Sequence, residues 1–199
     1  MGKGELTRQA VVDRAVGLAS SVGLEGLTIG RLAEELELSK SGLFAHFGSK
    51  EALQVQVLER AAERFIDAVV KPALQAPRGE ERVRALFERW SQWPQAVPQP
   101  GGCLFVAASA ELDDRPGPAR DLLARLQQDW LDTLAGAVRI AIAEGHFRDD
   151  VDPAQFAFEM YGLMLMGHLS SRLLRDPQAG ARTRRAFEDL LAAARRPSH

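Results

Sequence analysis

The chain has 199 residues, and 46% of them are hydrophobic, a content typical of a globular protein with a buried core and not of a disordered chain. The formal net charge of −2 gives the molecule no general attraction for polyanions, so a nucleic-acid role would need a local concentration of positive charge. The single cysteine, Cys103, excludes an internal disulfide framework and a cysteine-based zinc cage and favours a reducing compartment.

Apolar residues recur with helical spacing along the chain, and no segment shows the alternation of β-branched residues that is typical of strands. We therefore predict an all-α fold. Gly23 is expected to end the first helix, and the fourth is expected to reach about Val70, before Pro72. Four residues are expected to cap the starts of the N-terminal helices: Thr7, Thr28, Ser39 and Ser49.

The C-terminal half is predicted to contain longer helices. The segments WPQAVPQPGG and DDRPGP are expected to be connections because they are rich in proline and glycine. Asp152 as a cap with Pro153 at the first helical position is a good start signal. The predicted helices cover about residues 79–93, 102–112, 118–144, 153–175 and 179–195.

The segment LSKSGLFAHFGSKEAL contains a helix of two turns that could not persist alone in water, because isolated helices this short are marginal. Together with the helix that begins after Thr28, it has the dimensions of a helix-turn-helix. Its outward positions carry no carboxylate from Ser39 to Lys50, which suits a negatively charged partner. The inner seam is predicted to contain Leu32, Ala33, Leu36, Leu38, Leu43 and Phe47.

Two residues strengthen this interpretation. Lys50 lies in the first turn of a helix, where the helix dipole disfavours a cation by a few tenths of a kcal/mol unless an anion such as a phosphate binds there. Gly42 costs about 1 kcal/mol relative to alanine inside a helix, and its missing side chain would allow a close approach to a groove. Each residue also has an ordinary explanation, a solvated lysine and relief of crowding, so the prediction depends on their occurring together.

Residues 27–53, LTIGRLAEELELSKSGLFAHFGSKEAL, resemble the DNA-binding domain of the TetR/AcrR family of transcriptional repressors. The resemblance implies a homodimer that binds a near-palindromic operator in double-stranded DNA and releases it when a small-molecule effector enters the C-terminal domain. It implies base contacts at Ser41 and Gly42. It implies contacts to DNA phosphates at Thr28, Ser39, Lys40, Phe44, His46 and Lys50.

The sequence departs from the family pattern at two positions. Phe44 stands where tyrosine is usual, so the hydroxyl that bonds a phosphate is missing. Glu37 stands in the turn where glycine is usual, and it would be strained by about 1 kcal/mol in a left-handed backbone conformation. We expect weaker non-specific DNA binding from both.

The predicted domains are a helix-turn-helix DNA-binding domain at residues 1–48, a connecting helix at 49–77 and a helical ligand-binding and dimerisation domain at 78–199. In the last of these, the helix from Pro153 is apolar nearly all round, so one side is expected to face a second chain. A buried central helix of a monomer is the alternative. The predicted dimer interface contains Met160, Gly162, Leu163, Gly167, Phe187, Leu190, Leu191 and Ala194.

A cavity for the effector is predicted where large apolar side chains converge, because ligand pockets have apolar walls with few polar groups. Core packing uses the same residue types, so each of these residues could instead belong to the core. The candidate ligand contacts are Trp90, Trp93, Phe105, Trp130, Phe158, Tyr161, Met164 and His168. Cys103 is expected to be a small buried hydrophobe, with a thiol sensor as the alternative.

Two other classes of function are alternatives for an all-α chain. A helical-bundle enzyme would be expected to carry a Glu-x-x-His pair, a nucleophile elbow or a phosphate-binding glycine loop, and the sequence contains none of these motifs. A protein-interaction module could use the same amphipathic helices without binding DNA. We predict a cytoplasmic regulator with no catalytic residue, no metal site, no cofactor and no membrane anchor. MGKGELTRQA lacks the apolar core of a secretion signal, and the longest apolar run, YGLMLMG, is far too short to cross a bilayer.

Overall fold

The computed structural model describes residues 3–96 and 101–197 and confirms the predicted all-α fold. A π-helical segment, Ile66–Val70, follows the fourth α-helix. No helix in the described ranges is both long enough and apolar enough to cross a bilayer. The α-helices are α1 (Lys3–Val22), α2 (Ile29–Glu35), α3 (Lys40–Phe47), α4 (Lys50–Phe65), α5 (Lys71–Leu74), α6 (Glu80–Ala96), α7 (Leu104–Leu112), α8 (Pro118–Ala143), α9 (Pro153–Arg172) and α10 (Ala179–Ala194).

Four helix starts in the described ranges follow from the capping residue that precedes them. The side chains of Thr28, Ser39 and Ser49 accept hydrogen bonds from the third residue along at 3.1, 3.2 and 3.0 Å, and each occupies the cap position of its helix. Asp152 caps α9 in the same manner, with Pro153 in the first turn. Gly23, with φ of 80°, follows the last residue of α1 as predicted.

Some predicted boundaries were wrong. The helix from Pro153, expected to reach residue 175, ends at Arg172. The helix expected to start after Thr7 begins at Lys3, so the backbone of Thr7 lies inside α1. The helix expected to end at residue 93 continues to Ala96 with Pro94 in its last turn. Residues 97–100 of the predicted connection lie outside the described ranges.

The first of two compact units consists of residues 1–66 and 94–127. Helices α1 to α4 surround a core to which α7 and the start of α8 also contribute. Leu32, Ala33, Leu43 and Phe47 are buried there as predicted. The prediction for Leu38 was wrong, because its side chain is 45% exposed in the turn before α3.

The second unit consists of residues 67–93 and 128–199. Helices α9 and α10 pack against each other in it. Phe87 of α6 stacks on Phe187 of α10 with ring centroids 3.9 Å apart, and Phe147 lies 5.5 Å from Phe156 of α9. These aromatic pairs add to the apolar burial that stabilises the unit. The domain boundaries at residues 48 and 77 stay a prediction.

Candidate nucleic-acid interface

The turn between α2 and α3 is short and held by backbone hydrogen bonds. The N–H of Leu38 donates to the carbonyl oxygen of Ala33 at 2.9 Å, and the N–H of Glu37 donates to that of Glu34 at 3.2 Å. Glu37 has φ of 53°, which is the left-handed conformation in which a non-glycine residue is strained. The turn therefore takes the conformation in which glycine would be unstrained, although the residue is glutamate.

Helix α3 presents one side to the core and the other to solvent. Leu43 and Phe47 are 2% and 5% exposed and fix the helix in the first unit. The opposite side, here called the recognition face, is formed by the exposed residues Lys40, Ser41, Phe44, Ala45 and His46. With Phe44 at 56% exposure and no carboxylate between residues 39 and 50, this face combines an apolar ring with positive charge. Such a surface suits a DNA groove, because phosphates flank the groove and the base edges inside it include apolar groups.

Gly42 has a local reason to be glycine. Its N–H donates to the capping oxygen of Ser39 at 3.2 Å, and a Cβ on Gly42 would lie 2.9 Å from that same oxygen. An alanine would therefore displace the capping hydroxyl. Gly42 is also exposed, so the open backbone predicted for a groove contact is present on the surface of α3.

Lys50 is not a freely solvated lysine. Its Nζ donates to the backbone oxygen of Glu25 at 2.7 Å and to the Glu25 carboxylate at 3.1 Å. Arg115 also binds this carboxylate, at 2.6 Å. Sequence reasoning missed Glu25 and Arg115 because they lie 25 and 65 residues from Lys50 and belong to turns with no recognisable motif.

The Glu25 carboxylate is ionised in this cluster. Burial alone would raise its pKa, but hydrogen bonds from Lys50 and Gln54 and the charges of Lys50 and Arg115 lower the pKa below the ordinary glutamate value. The side chain of Gln54, which is itself buried, also donates to the backbone oxygen of Leu24 at 2.9 Å. The turn between α1 and α2 is thus tied to α4.

Two family models match this chain. One, described as the C-terminal domain of tetracyclin repressor-like proteins, matches residues 79–187. The other, described as bacterial regulatory proteins of the tetR family, matches residues 11–57, the segment that contains α2 and α3. The chain belongs to the TetR family of bacterial regulatory proteins. It is a DNA-binding transcriptional regulator by that membership.

Known TetR family proteins show the extent of the similarity. The class C tetracycline repressor of Escherichia coli is 34% identical over 84 residues, a match that covers 42% of this chain and 36% of that repressor, or about a third of its length. The transcriptional repressor NemR of Escherichia coli K12 is 26% identical over 173 residues, which covers 85% of this chain and 86% of NemR. A TetR transcriptional regulator from Chloroflexus aurantiacus J-10-FL has 25% identity and a TM-score of 0.85 over 96% of both chains.

The structure brings some of the predicted ligand contacts together. In the second unit, the ring of Trp90 on α6 meets Tyr161 and His168 of α9 edge to face, at centroid distances of 6.1 and 6.3 Å. Trp93, Trp130 and Met164 are buried in the same unit. Burial and the charge of Arg172 lower the pKa of His168 below its ordinary value, so the imidazole is neutral at pH 7.

Two other predicted ligand contacts lie elsewhere. Phe158 is 69% exposed on the surface of α9, so its side chain does not line an interior cavity of this chain. Phe105 lies in the first unit, where its ring meets Phe65 at 5.9 Å. A helix that is apolar all round does not reveal which side chains turn inward, and this is why Phe158 was misplaced.

The predicted dimer contacts also divide by burial. Met160, Phe187, Leu191 and Ala194 are between 0% and 4% exposed inside their own unit, so their side chains are not available to a second chain. A Cβ on Gly167 would lie 2.5 Å from the hydroxyl of Thr183, which places this glycine against α10 of the same chain. Leu163 and Leu190 are partly buried, and Gly162 is exposed.

Proposed function

We propose that this TetR family regulator is a cytoplasmic repressor that binds a near-palindromic operator as a homodimer through the recognition face of α3. The observation that carries the proposal is the composition of this face: Lys40, Phe44 and His46 are exposed on a capped helix whose neighbourhood in sequence contains no carboxylate from residue 39 to 50. Lys50 at the start of α4 adds a cation where backbone N–H groups also favour a phosphate. Ser41 and Gly42 are the proposed base contacts. Thr28 and Ser39 are proposed to position phosphates beside the helix starts that they cap.

A second chain is proposed to cover the exposed apolar side of α9. Phe158, Met166, Leu169 and Leu173 are 69%, 53%, 43% and 74% exposed, and with Gly162 they recur at intervals of three or four residues. Side chains with this spacing lie on one face of a helix. A continuous exposed apolar face of this kind is typical of an interface between protein chains. The proposed interface therefore uses α9, but through different side chains from Met160 and Leu163.

A small-molecule effector is proposed to bind in the second unit near Trp90, Tyr161 and His168. The solved structure of AibR contains isovaleryl coenzyme A and operator DNA, and its TM-score against this chain is 0.72 over 96% of the chain. The shared fold can therefore hold both an effector and an operator. The neutral His168 and the Tyr161 hydroxyl would supply the few polar contacts of a mainly apolar pocket, and release of the operator by the effector is the proposed response.

Binding to the DNA upstream of the protein's own gene tests the proposal. A repressor should bind one site in that DNA with an affinity that falls steeply as the salt concentration rises, because phosphate contacts release counterions. Fluorescence anisotropy at two salt concentrations measures this affinity and distinguishes a repressor from an enzyme or a protein-interaction module. Weak binding that is independent of sequence, or no binding, would contradict the operator function.

Two variants test the assigned contacts. Lys50→Ala should weaken binding to all DNA sequences and reduce the slope of log affinity against log salt concentration by about one, because one phosphate contact is lost. Ser41→Ala should instead change the order of preference among operator variants. An equal effect of Ser41→Ala on every operator variant would show that Ser41 does not read bases. Ser21→Ala, which removes an exposed hydroxyl from the end of α1, is the matched control outside the recognition face.

A further inference from the structure

Three side chains that are distant in sequence meet at one carboxylate oxygen in the first unit. Glu25 lies in the turn between α1 and α2, Lys50 begins α4, and Arg115 lies in the turn between α7 and α8. The Lys50 Nζ is 3.1 Å and the Arg115 Nη1 is 2.6 Å from the same atom, Glu25 Oε2. The two cations are therefore less than 6 Å apart, since their separation cannot exceed the sum of these two distances.

The carboxylate is held in place by further contacts. The backbone N–H of Glu25 donates to Glu111 Oε2 at 2.8 Å, and Gln54 Nε2 donates to Glu25 Oε1 at 3.3 Å. Glu111 belongs to α7 and Gln54 to α4, so the turn that carries Glu25 is fixed from both sides. Glu25 Oε2 can therefore lose its contact with Lys50 while the backbone of Glu25 stays in position.

A DNA phosphate and the Glu25 carboxylate would compete for the ammonium group of Lys50. A phosphate at Lys50 must attract an ammonium group that already donates to the Glu25 carboxylate and to the Glu25 backbone oxygen. If Lys50 were the only cation at Glu25, its departure would leave the carboxylate without a cationic partner, at a cost in free energy. Arg115 removes much of this cost, because its guanidinium stays bound to the same oxygen.

We propose that Glu25 and Arg115 are positioning residues that set the strength of the Lys50 phosphate contact. Glu25 competes with DNA for the ammonium group, and Arg115 retains the carboxylate when Lys50 moves to the phosphate. The inference rests on the DNA-binding role proposed for Lys50 above. It adds that two residues outside the recognition face determine the affinity for DNA without touching it.

Six proteins test the inference by a mutant cycle: the wild type, Glu25→Gln, Arg115→Gln, the double variant of these two, Lys50→Ala, and Glu25→Gln combined with Lys50→Ala. Their affinities for a fluorescently labelled duplex of fixed sequence are measured at several salt concentrations. Glu25→Gln should tighten binding by about two- to fivefold, the range expected for a partly exposed ion pair, and Arg115→Gln should weaken binding by a similar factor. Arg115→Gln should weaken binding much less once Glu25 is glutamine, and Glu25→Gln should tighten binding no more than Glu51→Gln does once Lys50 is alanine.

Glu51→Gln is the control for charge alone. Glu51 is an exposed carboxylate next to Lys50 in the chain, and no hydrogen bond joins it to Lys50 in the cluster described above. Its replacement removes one negative charge near α3 but releases no ammonium group. The tightening by Glu51→Gln should be smaller than that by Glu25→Gln, and it should persist in the Lys50→Ala background.

Several outcomes would overturn the inference. Unchanged or weaker binding by Glu25→Gln would show that Glu25 does not compete with phosphate. If Arg115→Gln weakens binding equally with glutamate or glutamine at position 25 and reduces the salt slope by about one, Arg115 contacts DNA directly. In both cases the wild type still binds DNA, which separates this failure from a failure of the proposed function, where neither the wild type nor Glu25→Gln binds.

A measurement without DNA checks the contact itself. Competitive acetylation with mass spectrometry compares the reactivity of Lys50 with that of Lys40, which is exposed on α3. In the wild type Lys50 should react more slowly than Lys40, because its ammonium group is bound to Glu25. Glu25→Gln should raise the rate for Lys50 and leave Lys40 unchanged. Equal rates for Lys50 in the two proteins would overturn the inference whatever the DNA result.

Discussion

At the residue scale, Glu80 shows how far one side chain can depart from its ordinary behaviour. Its carboxylate accepts hydrogen bonds from Arg195 at 2.6 and 2.7 Å and from Arg84 at 2.8 Å, at the start of α6. Arg84 also pairs with Glu188. The hydrogen bonds from Arg195, opposed by burial and aided by Arg84, lower the pKa of Glu80 to about 2. The ionised carboxylate therefore stabilises the junction of α6 and α10 in the second unit.

The pH dependence of this stabilisation has a definite sign. The pKa of Glu80 is lower in the folded state than the ordinary value of 4.5, so its contribution is fully present above pH 4.5 and is lost as the pH falls towards 2. Glu80→Gln should lower the free energy of unfolding at neutral pH by about 1 to 2 kcal/mol, after allowance for solvent screening. In urea titrations the difference from the wild type should shrink as the pH falls from about 4.5 towards 2.

Glu88→Gln provides the comparison for Glu80. Glu88 is an exposed carboxylate on the same helix. Its replacement should change the free energy of unfolding by less than about 0.5 kcal/mol. If the difference in the free energy of unfolding between the wild type and Glu80→Gln stays constant over the acidic range, Glu80 does not stabilise the protein through its ionised carboxylate.

At the element scale, the end of α1 depends on one glycine. Gly23 has φ of 80°, and a Cβ there would lie 2.2 Å from Oε1 of Glu111. An alanine at this position would be strained in the left-handed conformation and would displace the carboxylate that accepts the Glu25 N–H. Both the end of α1 and the contact with Glu111 of α7 therefore require glycine at position 23.

Alanine at Gly17, inside α1, and alanine at Gly23, just after α1, should change the free energy of unfolding in opposite directions. Gly23→Ala should lower the free energy of unfolding by about 1 to 2 kcal/mol, because of the left-handed backbone. Gly17→Ala should raise it by about 0.5 to 1 kcal/mol, because Gly17 lies inside α1 and a Cβ there would meet no atom within 4 Å. Both values can be measured by urea unfolding monitored by circular dichroism. Stabilisation by both variants would contradict the helix boundary at Val22, because alanine stabilises a helix relative to glycine only inside it.

At the scale of the whole molecule, operator binding depends on two recognition faces. A single helix-turn-helix makes few base contacts, and two of them related by a two-fold axis can read half-sites about 34 to 36 Å apart. The proposed dimer therefore links the apolar face of α9 to the affinity for the operator.

Phe158→Asp should disrupt the dimer, because it would bury a carboxylate without a partner in an apolar interface. Sedimentation should show the wild type at twice the chain mass of 21.8 kDa and the variant at the mass of one chain, with unchanged helical circular dichroism. The variant should also bind the operator much more weakly. Leu74→Asp is the control, since Leu74 is 42% exposed on α5, outside the proposed interface. A wild type that sediments as one chain at micromolar concentration would contradict the dimer.

The sequence by itself determined the helical fold, most helix starts and the recognition face. Thr28, Ser39 and Ser49 act on residues three positions along the chain, so their effect is encoded locally. The family pattern in residues 27–53 then indicated what α3 is for. Glu37 in the left-handed region was also foreseeable, because the turn between α2 and α3 demands that conformation.

Only the tertiary structure decided which apolar side chains of α9 and α10 face inward and which cations find a partner. Met160 and Phe158 are two residues apart on one helix, yet one is buried and the other is 69% exposed. Glu25, Lys50 and Arg115 meet at one oxygen although they come from three separate turns or helix ends. Contacts of this kind depend on how elements pack, and neither residue type nor helical spacing specifies them.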